Sequence, residues 1–327
     1  MGRYYIGTDI GGTHVRSAVY DCEDGCVQIM GRRLFVKTGS ICSEMKNNIY
    51  EMIASVISKQ SGNKKELVGI GVSLPANFDR NNGWFLNWPN NNSWNHFPFK
   101  ERLSEEFGVP VEMEDDANAA CLGEYLAGTA DRSRDFAYLT ISTGIGCGLF
   151  LNGRIFYGAN GWAGEIGHVQ MTDNGPECVC GRSGCLQALP SGPGILNRAR
   201  FLYDEYVGDG RKPERLEEVA RQAGEGHPWA VEAFNSSGYY LAWALCNLIT
   251  LTDIDTIILG GGVLNTGCLL MDPLLPGMKK RNSMISDWIR IRQSKLGDAA
   301  GLMGALNVIH YSLHRQYLPG LKEVTVE

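Results

Sequence analysis

Apolar residues crowd positions 4–9, break at Gly11-Gly12-Thr13, and resume over 15–20. An apolar run that stops at a glycine turn and then returns predicts a strand, a tight turn and a second strand. The plan recurs at mid-chain. Residues 136–141 run into Thr143-Gly144-Ile145-Gly146-Cys147-Gly148, then Leu149-Phe150-Leu151 and a turn at Asn152-Gly153. Between the two copies, the spacing predicts helices over 45–59 and about 117–127, and strands over 67–72 and 109–113. After the second copy it predicts helices over 195–206 and 229–248, a strand over 256–259 ending in Gly260-Gly261-Gly262, and a last helix over about 301–313. Strands alternating with helices point to an α/β chain. With no linker, charge block or short repeat, any domain division must fall within continuously folded chain.

The chain has 327 residues, enough for about two domains and a sizeable core. Its 44% hydrophobic and 20% charged residues exclude a disordered chain, and its 41 glycines follow no collagen period. Thirty basic against 36 acidic residues, a net charge of -6, argue against nucleic acid as the partner. No apolar run approaches the roughly 20 residues of a membrane helix, and the polar start is unlike a signal peptide, so a cytoplasmic protein is expected. Of ten cysteines, three cluster near one histidine; the other seven are expected to be reduced, mostly packing residues.

Three constellations carry chemistry. Glycine-rich turns let backbone N–H groups approach an anion, so both turns are candidate phosphate cradles, although either could be a plain hairpin. Asp9 just before the first turn is where a carboxylate would hold Mg²⁺ near a transferred phosphate. The turn is not a Walker A loop, lacking Gly-Lys-Ser/Thr, and it leads into a strand rather than the helix of a dinucleotide fingerprint. Second, His168, Cys178, Cys180 and Cys185 complete a four-ligand shell for a structural zinc, the alternative being free core cysteines. Glu165, three residues before His168, could be fixed through that shell. Third, Glu114-Asp115-Asp116-Ala117-Asn118 lies where a strand meets a helix. Its carboxylates suit a helix cap or a general base, Asp116, that takes a proton from a hydroxyl attacking phosphorus.

Together these motifs resemble the sugar kinases of the ROK family (repressor, open reading frame, kinase). The likeness runs from Asp9-Ile10-Gly11-Gly12-Thr13 through Gly164-Glu165-Ile166-Gly167-His168, the Cys-x-Cys-Gly-x-x-Gly-Cys run and Leu259-Gly260-Gly261-Gly262-Val263 to Leu296-Gly297-Asp298-Ala299-Ala300-Gly301. The resemblance implies an actin/hexokinase-like (ribonuclease H-like) α/β fold of two lobes with ATP and sugar in the cleft between them. Residues 1–117 would form the first lobe, with 301–327 returning to it, and 118–300 the second, carrying the zinc loop. It also implies phosphate loops at Gly11, Gly12 and Thr13 and at Thr143, Gly144 and Gly146, with Gly261 and Gly262 by the adenosine and Asp9 facing Mg²⁺. Asp116 matches the catalytic base, Glu165 and His168 match sugar contacts, and His168, Cys178, Cys180 and Cys185 match the zinc site.

Departures from the family pattern bear on the sugar. Asp115 stands where the family usually has Asn, contacting hydroxyls around C3 and C4, and an amide has become an acceptor only. Gln187 replaces a usual Glu, another sugar contact, and Ser73-Leu74-Pro75 replaces Pro-Gly-Pro, which puts Leu74 and Pro75 in the sugar loop. His14 and Leu74-Pro75-Ala76 are similar to the family's allose kinases. The expected function is transfer of the ATP γ-phosphate to the 6-hydroxyl of a hexose altered at C3 or C4, such as allose or an amino sugar. The alternatives are a plain glucokinase and a non-catalytic sugar sensor or repressor relative. The expected partners are the hexose, ATP and further copies of the chain in a homodimer or homotetramer, with no nucleic acid and no membrane.

Overall fold

A computed structural model describes residues 2–11, 14–34, 42–60, 65–88, 94–131, 133–318 and 324–326. The chain divides into two compact units, 1–132 with 295–327, and 133–294. In the first, strands β1 (Arg3–Ile10), β2 (His14–Asp21) and β3 (Val27–Leu34) precede helix α1 (Cys42–Gln60) and strand β4 (Glu66–Leu74). A small hairpin, β5 (Asn77–Phe78) and β6 (Phe85–Asn87), leads to α2 (Phe99–Phe107), β7 (Val111–Asp115) and α3 (Asp116–Leu126). The second unit holds β8 (Phe136–Ile141), β9 (Ile145–Leu151), β10 (Arg154–Ile155), α4 (Gly192–Tyr206), α5 (Leu216–Gly224) and α6 (Pro228–Thr252). It continues with β11 (Thr256–Gly260), α7 (Cys268–Arg281), α8 (Ser283–Ser286) and β12 (Arg290–Gln293). The chain then returns to the first unit with α9 (Ala300–His314) and β13 (Val324–Val326).

Each unit is an α/β layer built on one main mixed sheet, in keeping with the two α/β lobes that the family resemblance implies. In the first, the order is β13-β3-β2-β1-β4-β7, with β1, β4 and β7 parallel and β1 antiparallel to β2. In the second, the order is β10-β9-β8-β11-β12, with β8, β11 and β12 parallel and β8 antiparallel to β9. A parallel strand covered on both faces needs apolar residues throughout, and β1 is buried from Tyr4 to its end. One core of the first unit gathers Ile49, Ile53 and Val56 of α1 with Phe85, Trp94 and Phe99. Another packs Leu302, Met303, Leu306 and Ile309 of α9 with Tyr5 and Ala18.

The helix α3, which a division at 117/118 would put in the second lobe, packs in the first against α9. Small residues make that crossing close. A Cβ on Gly304 would lie 1.7 Å from the Ala119 carbonyl oxygen, and one on Gly123 would lie 2.2 Å from that of Ala300. The return begins at Lys295 rather than at 301 for an electrostatic reason. The buried Glu124 carboxylate on α3 accepts from Lys295 N at 3.2 Å, Leu296 N at 3.1 Å and the Thr129 hydroxyl. Alanine would normally improve a helix interior over glycine by up to about 1 kcal/mol. At position 304 the clash with backbone wins, so Gly304→Ala is expected to destabilise the protein by about 1–3 kcal/mol in denaturant unfolding.

Among the described residues no helix is long and apolar enough to cross a membrane. Among the described residues no disulfide links any cysteine. Cys121, Cys147 and Cys246 are packing residues, while Cys22 and Cys268 are exposed, contrary to a packing role.

Candidate functional site

Strand register brings the candidate residues of the first unit into one row. Asp9 of β1 stands opposite Ser73 of β4, and Ser73 stands opposite Glu114 of β7, all at the carboxyl ends of parallel strands. That edge is where open α/β sheets bind ligands. Asp9 is nearly buried, and both its oxygens are held: Ser73 Oγ donates to Oδ1 at 2.9 Å and Arg16 Nη2 to Oδ2 at 2.6 Å. Gly301, at the start of α9, approaches the same carboxylate, since a Cβ there would sit 2.8 Å from Oδ1. Of the first turn, Gly11 N–H donates to the His14 carbonyl at 2.8 Å; Gly12 and Thr13 lie outside the described residues.

At the end of β7 the three carboxylates separate. Glu114 is buried and accepts from Arg80 Nη2 at 2.7 Å. Asp115 caps α3, its Oδ1 accepting from Asn118 N–H at 2.9 Å and its Oδ2 from Arg80 Nη2, also at 2.9 Å. Burial and the adjoining Glu114 push the Asp115 carboxyl well above the usual carboxylate range, against the Asn118 N–H and Arg80, which pull it down. Asp116, the first residue of α3, is exposed. Leu74 is fully buried in the core, so its side chain is a packing group and only its backbone could meet a ligand; Pro75 is half-buried beside it.

The second unit repeats the arrangement with other chemistry. β8 and β11 are parallel neighbours, with Gly260 opposite Thr140, so the turn through Thr143 and Gly144 and the Gly261-Gly262 turn emerge at one sheet edge. Gly261 has φ of 93°, and a Cβ there would lie 2.4 Å from the Ile141 carbonyl oxygen, so only glycine lets the turns touch. Ser142 O also accepts from Gly192 N at 2.8 Å, placing the start of α4 against the same loop. Thr143 is exposed, and Gly146 lies in β9 opposite Thr140.

The donor atoms of His168, Cys178, Cys180 and Cys185 all lie within 4.8 Å of one another. Cys180 Sγ is 3.6 Å from Cys185 Sγ, and Cys178 Sγ is 3.6 Å from His168 Nδ1. Zinc bonded at about 2.3 Å to sulfur and about 2.0–2.1 Å to nitrogen gives tetrahedral edges of about 3.5–3.8 Å, so the donor set and its spacing fit that ion. His168 turns Nδ1 to the thiols and its other nitrogen, Nε2, to Glu165 Oε2 at 3.9 Å. Glu165 is exposed at the start of the short turn Ile166–His168, whose His168 N–H donates to its carbonyl at 3.0 Å. Gln187, half-buried, donates from Nε2 to Cys178 Sγ at 3.3 Å.

Sequence reasoning missed Ser73 as a partner of Asp9, Arg16 as its counter-ion, and Arg80. The first two follow from register, which no local pattern displays. Arg80 sits in the turn between β5 and β6, where a polar stretch reads as an ordinary loop.

The ROK family model matches residues 5–311. A glucokinase of Halalkalibacterium halodurans is 30% identical over 92% of this chain and 93% of its own length. A xylose repressor of Bacillus subtilis is 25% identical over 94% of this chain and 77% of its own. Among solved structures, a ROK family glucokinase from Streptomyces griseus in complex with glucose and AMPPNP superposes with a TM-score of 0.71, 27% identity and coverage of 93% of this chain and 98% of that one. With the family model spanning nearly the whole chain, and with the second glycine turn, the acidic strand end and the Cys/His cluster as described, this chain belongs to the ROK family.

Proposed function

We propose that this chain transfers the γ-phosphoryl group of ATP to the 6-hydroxyl of a hexose. The observation that carries the reading is the row Asp9, Ser73, Glu114 at one strand edge, with exposed Asp116 two residues beyond Glu114. A general base has to be reachable by its substrate yet fixed in place, and Asp116 is exposed but anchored at the first turn of a helix. It would take the proton of the attacking hydroxyl. The turns at Gly11 and at Thr143, Gly144 and Gly146 would hold phosphates through their N–H groups, with Gly261 and Gly262 beside the nucleoside. Asp9, fixed by Ser73 and Arg16, would hold Mg²⁺, which neutralises phosphate charge when bound. On the sugar side the reading places Glu165 and the Nε2 face of His168, the latter oriented by zinc through Nδ1.

A glucokinase and a glucose complex among the relatives make glucose the runner-up substrate, and the xylose repressor keeps a sugar sensor in view. A coupled assay for ADP over a panel of hexoses decides both points. Saturable, sugar-dependent turnover is the expected result, and sugar binding without turnover would leave the sensor.

The sugar preference is proposed to favour hexoses altered at C3 or C4, through the charge at Asp115. Asn caps a helix as well as Asp does, so Asp115→Asn should keep the bond to Asn118 N–H and leave the melting temperature nearly unchanged. It replaces one carboxylate acceptor by an amide N–H donor, and so weakens any preference for a sugar that offers a donor there. The kcat/KM ratio of allose or a 3-amino sugar to glucose should fall by about tenfold, the worth of one polar contact of about 1.4 kcal/mol. An unchanged ratio would leave Asp115 as a cap and nothing more.

A further inference from the structure

Gln187 follows the last cluster cysteine in the short turn Leu186–Ala188, and its amide meets two separate parts of the second unit. Nε2 donates to Cys178 Sγ at 3.3 Å. On the other side, a Cβ on Gly144 would lie 3.1 Å from Gln187 Oε1, and one on Gly167 would lie 3.5 Å from Gln187 Cβ. One side chain thus donates to a metal-facing sulfur and lies close beside the second glycine-rich turn and the backbone next to His168, leaving at Gly144 and Gly167 little room for a side chain.

The residue type makes this contact possible. A metal-bound thiolate is an acceptor, and an amide offers it two N–H donors, whereas a carboxylate offers none and adds a like charge. Hydrogen bonds to ligating atoms fix their orientation and commonly govern metal affinity by 10–100-fold. We propose that Gln187 is a positioning residue that ties the Cys/His metal centre to the turn at Gly144, and is not a sugar contact. It holds Cys178 in the ligand shell through Nε2 and braces the turn with the other end of the same amide. The proposal rests on the reading of the cluster as a zinc site and of the turn as a phosphate loop.

The test follows zinc release from the purified holoprotein into excess chromogenic chelator, alongside KM for ATP and for the sugar. Gln187→Glu should release zinc about tenfold faster or more and raise KM for ATP, with KM for the sugar nearly unchanged. Gln187→Met keeps the bulk without the donor and should fall between wild type and Gln187→Glu in release rate, which keeps the test open if the charged variant folds poorly. Release at the wild-type rate from both variants, with only the sugar KM moved, would overturn the proposal and leave zinc and kinase readings intact. Wild-type protein that carries no zinc would instead overturn the proposal together with the metal reading, and the two failures are told apart by elemental analysis before any variant is made.

Discussion

Asp116→Asn is expected to lower kcat by on the order of 10²–10⁴-fold, the range for loss of a general base, while sugar affinity changes far less. The substitution is nearly isosteric. Because Asp116 is exposed at the first position of α3, no core contact is lost. Its charge at a helix N-terminus is worth only about 0.3–1 kcal/mol, so the fold should survive. Glu114 and Asp115 are no substitutes as base, since Glu114 is buried with Oε1 bound by Arg80 and Asn118, and both Asp115 oxygens already accept from Asn118 and Arg80. Phosphoryl transfer depends on positioning and charge neutralisation, and the sugar is held by other groups, so the loss should appear in turnover rather than binding. Steady-state kcat together with a sugar titration by calorimetry separates the two. A variant with near-normal turnover would remove Asp116 from the chemistry.

Much of this architecture was legible in the sequence because apolar runs and glycine breaks are local signals. β8 spans the predicted residues 136–141, and α3 begins one residue before the predicted 117. α7 was not legible: it contains Pro273 and Pro276, residues that ordinarily interrupt a helix, yet it runs through both. β3, α2, α5 and β12 also escaped notice. β12 carries Arg290 and Arg292 in a strand of four residues and owes its conformation to pairing with β11 rather than to an apolar run. The site divides the same way. The Cys/His cluster is legible because ligands recur at short spacing in a glycine-rich loop, but the row of Asp9, Ser73 and Glu114 depends on strand order, which only tertiary structure supplies. Asp115 is the instructive residue. The sequence allowed cap or sugar contact, and the structure gives it a capping bond and an ion pair with Arg80, whose position on a distant turn no spacing rule predicts.

Cys180→Ser should abolish stoichiometric zinc binding, a larger thermodynamic loss than any other single change considered. Wild-type protein is expected to keep one zinc per chain through extensive dialysis, because four protein ligands close the shell. A serine hydroxyl remains protonated at neutral pH and cannot replace a thiolate, so three ligands would be left to hold the ion. Cys180 is exposed, so its replacement opens no cavity, and any loss of stability has to come from the metal. Structural zinc in small domains contributes apparent binding energies of about 10–16 kcal/mol. Here much of the second unit packs without it, around a core of β8, β11, α4 and α6, so only the loop from Glu165 to Gln187 should loosen. The expected picture is a lower melting temperature, faster proteolysis between 165 and 187, and weaker sugar binding as His168 loses the bond that turns Nε2 toward Glu165. Metal content by elemental analysis comes first. Zinc-free wild-type protein with full activity would show that the cluster does not support the sugar-facing segment.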